Sequence, residues 1–430
     1  MLKKLTPKGM RDFLPEEMII REWVLEKIAT IYRLYGFRPL STPALEYMST
    51  LEAKSGDEIL GQIFKLENEE VGLRFDLTVP LARVAATNAI PKPFKRYSIS
   101  AVWRKEEPQK GRMREFWQAD ADIIGSKNMR SESELLVLAN DAIIALGFDK
   151  PLFILNNRKI LDALVTRFGV EDKKNMIFRL LDKIDRFGLK KVREDIEKLM
   201  EKTNADALFD VLAVQGTNTE KLAVAKKINE EAAKELEEII VNAKTADAGL
   251  NIIIDFFLVR GLEYYTGPIF EIKLSDNIGS VGGGGRYDNL LGFYGQNDYA
   301  TGISLGIERL IYLIKERENK EQKQETKKRT IKKTYTRVFV ASVKGCFDQS
   351  VKIAGEFRKN GISTEVDLNE RSLSKQFDYA NALDIEYVAI VGEKEIKENK
   401  IRLRNMRSGA EELITLGKAM EKIKKSKKND

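Results

Sequence analysis

Apolar positions recur along the chain at two spacings, one helical and one strand-like, and their succession divides it into segments. Residues 15–35 place Ile20, Val24, Ile28, Ile31 and Tyr35 on one side of a helix, with Gly36 at the expected stop. The following FRPLSTPALEY has strand-like composition but carries Pro39 and Pro43, which assigns it to a sheet edge. Residues 71–80, VGLRFDLTVP, predict a short strand and turn in which Arg74, Asp76 and Thr78 share a parity. An apolar strand from Tyr97 to Trp103 predicts one arm of a hairpin around the polar loop 107–111. The other arm carries Arg112, Arg114, Phe116, Gln118, Asp120 and Asp122 on one parity. Ser131 and Glu134 predict a Ser-x-x-Glu capping box opening a helix, with Leu135, Leu138, Ala139, Ala142, Ile143 and Leu146 on its buried side and Gly147 at its end. PLFILNN, from Pro151, predicts a buried strand.

From about residue 157 to 245 aromatic residues thin out and Lys/Glu-rich helical patterns run together, which predicts an all-helical insertion. The segment IIIDFFLVRGLEYYTGPIFEI then runs an apolar strand into Arg260, and an arginine ending a buried strand is costly unless paired. SVGGGGRYDNL holds four consecutive glycines, which let backbone or ligand approach closely. No Gly-Lys-Ser/Thr follows them, so they form no nucleotide-phosphate loop of that type. ATGISLGIERLIYLI predicts strand, glycine junction and helix, with a Gly-rich helix-packing site as the alternative. Residues 316–336 are a charge-dense linker. Beyond it VFVASV, a helix at 347–359, STEVDL, a helix at 371–383 and YVAIVG alternate as a small α/β unit, followed by two strand-like pieces and a helix.

Composition changes this picture in three ways. With 430 residues, two to three domains are expected. Lys and Arg number 73 against 66 Asp and Glu, a mild basic excess compatible with a nucleic-acid partner. The single cysteine, Cys346, leaves no internal disulfide and fits a reducing compartment; without an 18-residue apolar run or a signal peptide, a cytoplasmic protein off the membrane is expected. The histidine count of 0 removes Ser-His-Asp, Cys-His and histidine-zinc chemistry at once. What chemistry there is must use Arg, carboxylates, Tyr, Lys or a metal on carboxylates.

The hairpin is where such chemistry concentrates. Several arginines on one sheet face suit a polyphosphate, because the guanidinium fork fits phosphate oxygens, and Phe116 among them offers a stacking surface. A solvated strand face of alternating charge is the alternative. An acid and a hydroxyl side by side, as at Asp76 and Thr78, suit an ammonium group.

Arg104-Lys105-Glu106, the loop, Arg112 and Phe116 resemble motif 2 of the class II aminoacyl-tRNA synthetases, and RKEEPQKGRMREFWQADADI is similar to the histidyl-tRNA synthetase family of that class. RGLEYYTG resembles the family's RGLDYY string, with Glu263 in place of Asp. The Pro39/Pro43 segment resembles motif 1, which implies a homodimer; ordinary helix–strand packing is the alternative. The segment around Arg309 resembles motif 3. Asp122, Asp76 and the Asp-Leu-Thr run are closer to the archaeal and eukaryotic branch.

The resemblance implies an α+β catalytic domain on a mainly antiparallel sheet flanked by helices, over residues 1–156 and 246–318. It implies a helical insertion at 157–245 over the tRNA acceptor arm, a linker at 319–335, an anticodon-binding α/β domain at 336–424 and a basic tail at 425–430. A nucleotide-binding regulatory module is the alternative for the C-terminal part. The implied activity is ligation of histidine to tRNA(His) with ATP and Mg²⁺; a histidine-sensing regulatory paralogue and a non-catalytic tRNA sensor are the alternatives. By the same resemblance Arg104 holds the α-phosphate, Glu106 accepts from the adenine amino group, Phe116 and Arg309 sandwich adenine, and Arg112 and Arg309 reach the outer phosphates. Asp76, Thr78 and Gln118 hold the α-ammonium, Asp122 and Tyr265 bracket the imidazole, and Tyr264 and Tyr287 complete the pocket. Arg260 is the expected catalytic cation between histidine and ATP, beside Arg104, and Gln109 and Lys110 are expected at the tRNA acceptor end; no residue is assigned to a metal.

Overall fold

The computed structural model describes residues 5–52, 60–107, 113–259, 265–275, 278–323 and 332–426. The chain forms two compact units, one comprising Met1–Asp12 and Trp23–Gln324, the other Phe13–Glu22 and Glu325–Asp430.

The first unit is built on an eight-stranded sheet. Its strands are β1 (Arg38–Pro39), β4 (Phe94–Trp103), β5 (Glu115–Ile124), β6 (Leu152–Asn157), β7 (Asn251–Ile254), β8 (Pro268–Lys273), β9 (Ser280–Arg286) and β10 (Ala300–Gly306), while β2 (Leu45–Tyr47) and β3 (Val71–Leu73) make a separate ribbon. Spatial order is β1-β4-β5-β10-β9-β8-β6-β7. The five central pairings are antiparallel, and only the outermost, β1 with β4 and β6 with β7, are parallel. The proline-bearing β1 lies at an edge, as the lost N–H of Pro39 requires.

Register sorts the central strands into two faces. Tyr97, Ile99 and Ala101 on β4 pair with Ala121, Ala119 and Trp117 on β5, and Ala121 and Ala119 pair in turn with Ile303 and Leu305 on β10. This is an apolar face, and Tyr32 of the helix Pro15–Leu34 donates from its hydroxyl to the Ala119 carbonyl at 3.1 Å. The opposite parity carries Arg96, Ser98 and Ser100 against Asp122, Asp120 and Gln118, and those against Gly302, Ser304 and Gly306. The first arm of the hairpin is thus not the uniformly apolar strand expected from its sequence: it alternates, and its polar half joins the polar half of β5.

Two local expectations are corrected, and the close backbone approach expected at the glycine run is found within a strand. Asp76 and Thr78 do not share a strand face, because β3 ends at Leu73 and Thr78 opens the helix Thr78–Thr87. There Asp76 accepts from the Val79 N–H at 3.0 Å, satisfying a free donor of the first turn. No capping box opens the helix Arg130–Ala145: its N-cap is Met129, Ser131 donates to the Ser126 hydroxyl, and Glu134 is drawn into an ion pair with Lys95. The glycine run forms β9, a strand in the middle of the sheet. Glycine is a poor strand former, but a Cβ at Gly284 would stand 1.9 Å from the Gly302 carbonyl oxygen, so the sheet closes around the missing side chains.

Between β6 and β7 the chain is helical, from Arg158–Arg167 to Glu230–Ala246, with Ile177, Phe178, Val192, Ile196, Leu208 and Phe209 buried among these helices. The helix Ile307–Lys323 runs past residue 318. The second unit carries a sheet of order β12-β11-β13-β14-β15, with β11 (Val338–Ser342), β12 (Thr364–Val366) and β13 (Tyr387–Val391) parallel, and β14 (Ile401–Asn405) and β15 (Glu411–Ile414) antiparallel. Helices Phe347–Lys359, Leu373–Ala382 and Leu416–Ser426 cover it.

Candidate active site

The polar face of β4, β5, β9 and β10 grades from closed to open along β5. At the closed end Phe94, Ile124 and Ala300 pack with Leu81, Ala82 and Ala85 of the helix Thr78–Thr87 and with Tyr265 and Tyr287. Next along the strand come Asp122 and Asp120, each 2% exposed, and then Gln118 and Phe116, both half-buried. A wall of apolar groups therefore ends in a set of buried charges, which open toward the hairpin tip.

Asp122 is gripped from two sides. Its Oδ2 lies 2.9 Å from Nη2 of Arg96, which is fully buried, and its Oδ1 accepts from the Tyr287 hydroxyl at 2.5 Å. Arg96 Nη2 also donates to the Leu77 carbonyl at 2.9 Å. A Cβ on Gly302 would lie 2.0 Å from Asp122 Oδ1, so the glycine makes room for the carboxylate. Burial raises the Asp122 carboxyl from its ordinary range, and Arg96 and the Tyr287 hydroxyl pull it back. Burial, and then the charge of Asp122, raise the Tyr287 phenol well above its ordinary value.

Asp120 shares its strand and face with Asp122 but not its partners. Ser304 is hydrogen-bonded to it, yet its Oδ1 has no hydrogen-bond partner among the described residues. Burial pushes its carboxyl up to about 7, Arg96 opposing and Asp122 and Asp76 adding. Asp76 is similar: burial pushes its carboxyl up to about 6 against the Val79 N–H and Arg104, and its Oδ2 is unpartnered among the described residues. Thr78 is also buried. Gln118 donates from Nε2 to the Ser304 hydroxyl at 2.8 Å, leaving Oε1 unpartnered among the described residues.

The open end carries the second set of expected groups. Arg104 donates from Nε to the Phe75 carbonyl at 3.0 Å, and its guanidinium carbon lies 5.1 Å from the centroid of the Phe116 ring. Glu106 is half-buried, and its carbonyl accepts from Arg114 Nε at 2.9 Å. Arg309, in the first turn of the helix after β10, donates to the Ser280 carbonyl. Glu308 beside it accepts from the Trp117 N–H at 2.9 Å, which ties that helix to β5.

The structure thus brings Asp76, Thr78, Asp122, Tyr265 and Tyr287 to the closed part of one sheet face, Gln118 to its border, and Arg104, Glu106, Phe116 and Arg309 toward its open part. It places the hydroxyl of Tyr287 on Asp122, where the sequence pairs Asp122 with Tyr265; the Tyr265 ring stands instead beside Gly285, whose added Cβ would lie 2.9 Å from Tyr265 Cδ1. Gln109, Lys110, Arg112, Arg260 and Tyr264 lie outside the described residues. Sequence reasoning missed Arg96, Ser304 and the buried pair of Arg286 with Glu132, in which Nε and Nη2 meet the carboxylate at 2.8 and 3.0 Å. The alternation Arg96-x-Ser98-x-Ser100 was the available signal for the first of these. Among the described residues no three His, Cys, Asp or Glu side chains cluster as metal ligands, and no helix is long and apolar enough to cross a membrane.

Comparison with known proteins agrees with this geometry. The family description histidyl-tRNA synthetase matches residues 9–310, and the description anticodon binding domain matches residues 337–426. A histidine–tRNA ligase of Bacteroides fragilis (strain YCH46) is 38% identical across 95% of this chain and 96% of its own length. A histidine–tRNA ligase of the archaeon Aeropyrum pernix is 36% identical across 97% of each. The crystal structure of histidyl-tRNA synthetase from Nostoc sp. PCC 7120 matches with a TM-score of 0.82 at 26% identity, covering 99% of this chain and 100% of that one. Bacterial and archaeal relatives stand at nearly equal identity, and on matches of this extent the chain belongs to the histidyl-tRNA synthetase family.

Proposed function

We propose that this chain is a histidine–tRNA ligase, activating histidine with ATP to histidyl-adenylate and pyrophosphate and passing the aminoacyl group to the 3′ end of tRNA(His). One observation carries the reading beyond family membership: a pocket floored by buried carboxylates adjoins an arginine held against an aromatic ring on the same open sheet face. The first half suits a small cation, the second a nucleotide.

In the first step a carboxylate oxygen of histidine attacks the α-phosphorus of ATP in line, the new P–O bond forms, and the bond to the pyrophosphate oxygen breaks. The enzyme's task is to position two anions and offset their charge. Arg104 holds the α-phosphate; its tether to the Phe75 carbonyl fixes the guanidinium before ATP arrives. Phe116 and Arg309 sandwich adenine, Glu106 accepts from its amino group, and Arg112 with Arg309 meets the outer phosphates. Asp76, Thr78 and Gln118 receive the α-ammonium. Asp122 and Tyr265 bracket the imidazole, with Tyr264 and Tyr287 closing the pocket, and Arg96 and Tyr287 hold the Asp122 carboxylate in one orientation. Arg260 is the cation between the two reacting anions. Magnesium bound with ATP would supply charge neutralisation to the outer phosphates, and no residue of this chain is assigned to hold it.

Gln109 and Lys110 at the hairpin tip meet the acceptor end of tRNA, the helices between β6 and β7 lie over its acceptor arm, and the second unit binds the anticodon. A homodimer formed through the β1 edge and a cytoplasmic location complete the proposal. A regulatory paralogue is disfavoured because the chain keeps both RGLEYYTG and the anticodon-binding match at residues 337–426.

Amino-acid-dependent exchange of pyrophosphate into ATP, run with each amino acid in turn, tests the reading. Exchange with histidine alone is the expected result. Exchange with none would replace the enzyme by a sensor or regulator.

A further inference from the structure

The reading above places two carboxylates, Asp76 and Asp122, in the amino-acid pocket. The sheet puts a third between them. Asp120 faces the same way as Gln118 and Asp122, since residues two apart on a strand share a face. Asp120 and Asp76 each keep one oxygen without a hydrogen-bond partner among the described residues, at 2% and 3% exposure. Such atoms are uncommon in a finished core, because a buried acceptor left unmatched forfeits its hydration for nothing. Two in one pocket point to a missing donor.

The charges around Asp120 give the sign of that donor. From β4 it faces Arg96; from its own strand Asp122; from the turn before the helix Thr78–Thr87, Asp76; more distantly Arg74 and the phenol of Tyr32. Ser304 of β10 is hydrogen-bonded to it and is neutral. Arg96 spends Nη2 on Asp122 and the Leu77 carbonyl, and its Nε and Nη1 reach no acceptor among the described residues, not even the free oxygens of Asp120 and Asp76; Arg74 is committed to the Ser100 hydroxyl and the carbonyls of Thr42, Pro43 and Ala101. The pocket therefore holds more buried negative charge than the cations bonded into it offset, and a neutral imidazole would not redress that. A fixed positive charge would.

We propose that Asp120 is a further substrate-binding residue, its carboxylate joining that of Asp76 around the α-ammonium group of histidine. Gln118, whose Oε1 is also unpartnered among the described residues, stands next to it on the open side, so the ammonium group would sit between carboxylates and amide with the imidazole directed toward Asp122. In the empty pocket the raised carboxyl of Asp120 carries a proton for part of the time near neutral pH, and the arriving ammonium displaces it. Asp120 thus makes the pocket answer to the charge of its ligand as well as to its shape.

This inference rests on the reading of the chain as a histidine-activating enzyme. The test uses Asp120→Asn in the full-length protein and two ligands, histidine and its analogue lacking the α-amine, the latter read by its competition with histidine. At about pH 8, Asp120→Asn should raise the KM for histidine roughly tenfold, while the inhibition constant of the analogue and the KM for ATP stay within about twofold. An unchanged histidine KM would overturn the proposal. So would equal losses for histidine and analogue, which would make Asp120 a structural residue. Should the variant fail to fold, infrared difference spectra of the wild-type protein near pH 6.5 decide: adding histidine should remove a protonated-carboxyl band, and an unaltered carboxyl region overturns the idea. Absence of histidine-dependent exchange in the wild type would be a different failure, that of the functional reading itself.

Discussion

The two units treat buried charge in opposite ways. In the C-terminal sheet the buried polar groups Asp367 and Gln376 are matched, and among its described residues Arg404 Nε alone is buried without a partner. Asp367 accepts from the Arg371 N–H and from its Nε, each at 2.6 Å, and Gln376 exchanges bonds at 2.9 Å with the Ser342 N–H and carbonyl. In the first unit Arg96, Gln118 and Asp120 on one face of the eight-stranded sheet, and Asp76 in the turn before the helix Thr78–Thr87, all retain a buried polar atom without a partner among the described residues. Both sheets bury comparable apolar surfaces under helices, so packing does not separate them. What separates them is that the first unit gathers several unmatched buried atoms around one place, arranged for something that arrives later, whereas Arg404 Nε is isolated. Unmatched buried polar atoms on a rigid sheet mark the site more sharply than charge alone, since charged residues occur in both units.

The most severe way to break this contrast is to remove Arg96. Its side chain is 0% exposed and is the ion-pair partner of Asp122. Arg96→Met should cost about 3–5 kcal/mol in chemical denaturation, because a carboxylate is left buried without its cation. Adding Asp122→Asn should recover part of the loss. A single variant as stable as the wild type would show that the network is not under the electrostatic load described here.

Next in size is Arg260→Ala, which acts on rate rather than stability. The arginines at the described site are engaged before substrate arrives: Arg96 with Asp122, Arg104 with Phe75 and Phe116, Arg309 with Ser280. In the proposal above Arg260 is the further cation between the two approaching anions, and it follows the buried Leu258 and Val259. Its loss should raise the adenylation barrier by roughly 3–4 kcal/mol in single-turnover measurements, leaving ATP and histidine binding within a few fold. Transfer from preformed adenylate should suffer much less; equal damage to both steps would remove Arg260 from the first.

Much of this face was legible in the sequence, and the limits have physical causes. The parity of Phe116, Gln118, Asp120 and Asp122 is local information, carried by the two-residue period of a strand. Arg96 escaped because the strand was started at Tyr97, one residue too late to show its alternation with Ser98 and Ser100. The partner of Asp122 could not be read locally, since Tyr287 lies 165 residues away and Tyr264 and Tyr265 have equal chemical claims. Nor could the strand nature of the glycine run: its cause is close approach of β10, a property of the assembled sheet. The capping box failed because Lys95, from a distant strand, took Glu134.

The titration of the two units should also differ. Asp76 and Asp120 have folded-state values near 6 and 7, above the unfolded value of about 3.9, so the native state keeps its protons longer. Stability from these groups is then greatest below about pH 4 and is lost as pH rises through the folded values, by on the order of a few kcal/mol. Melting of the catalytic unit should reflect this loss between about pH 4 and 7, superimposed on the opposite trend of ordinary ion pairs. Histidine should protect more strongly at the upper end. Protection independent of pH would separate ligand binding from these carboxylates.

The smallest effect belongs to the matched surface, and it sharpens the contrast most. Arg371→Ala removes one of the two donors to Asp367, which is 1% exposed, and a guanidinium lying 4.5 Å from the Tyr379 ring centroid. The Arg371 N–H remains, so the carboxylate is not stripped as Asp122 is by loss of Arg96. Arg371 is also partly exposed, which lets water replace the lost donor. The cost should be about 1–2 kcal/mol, confined to the C-terminal unit. Histidine-dependent pyrophosphate exchange should be unchanged, because the residues proposed for that reaction all belong to the first unit. A variant that keeps its fold but loses exchange would mean that the matched surface takes part in activation, and the division of labour between complete and incomplete sheets would have to be abandoned.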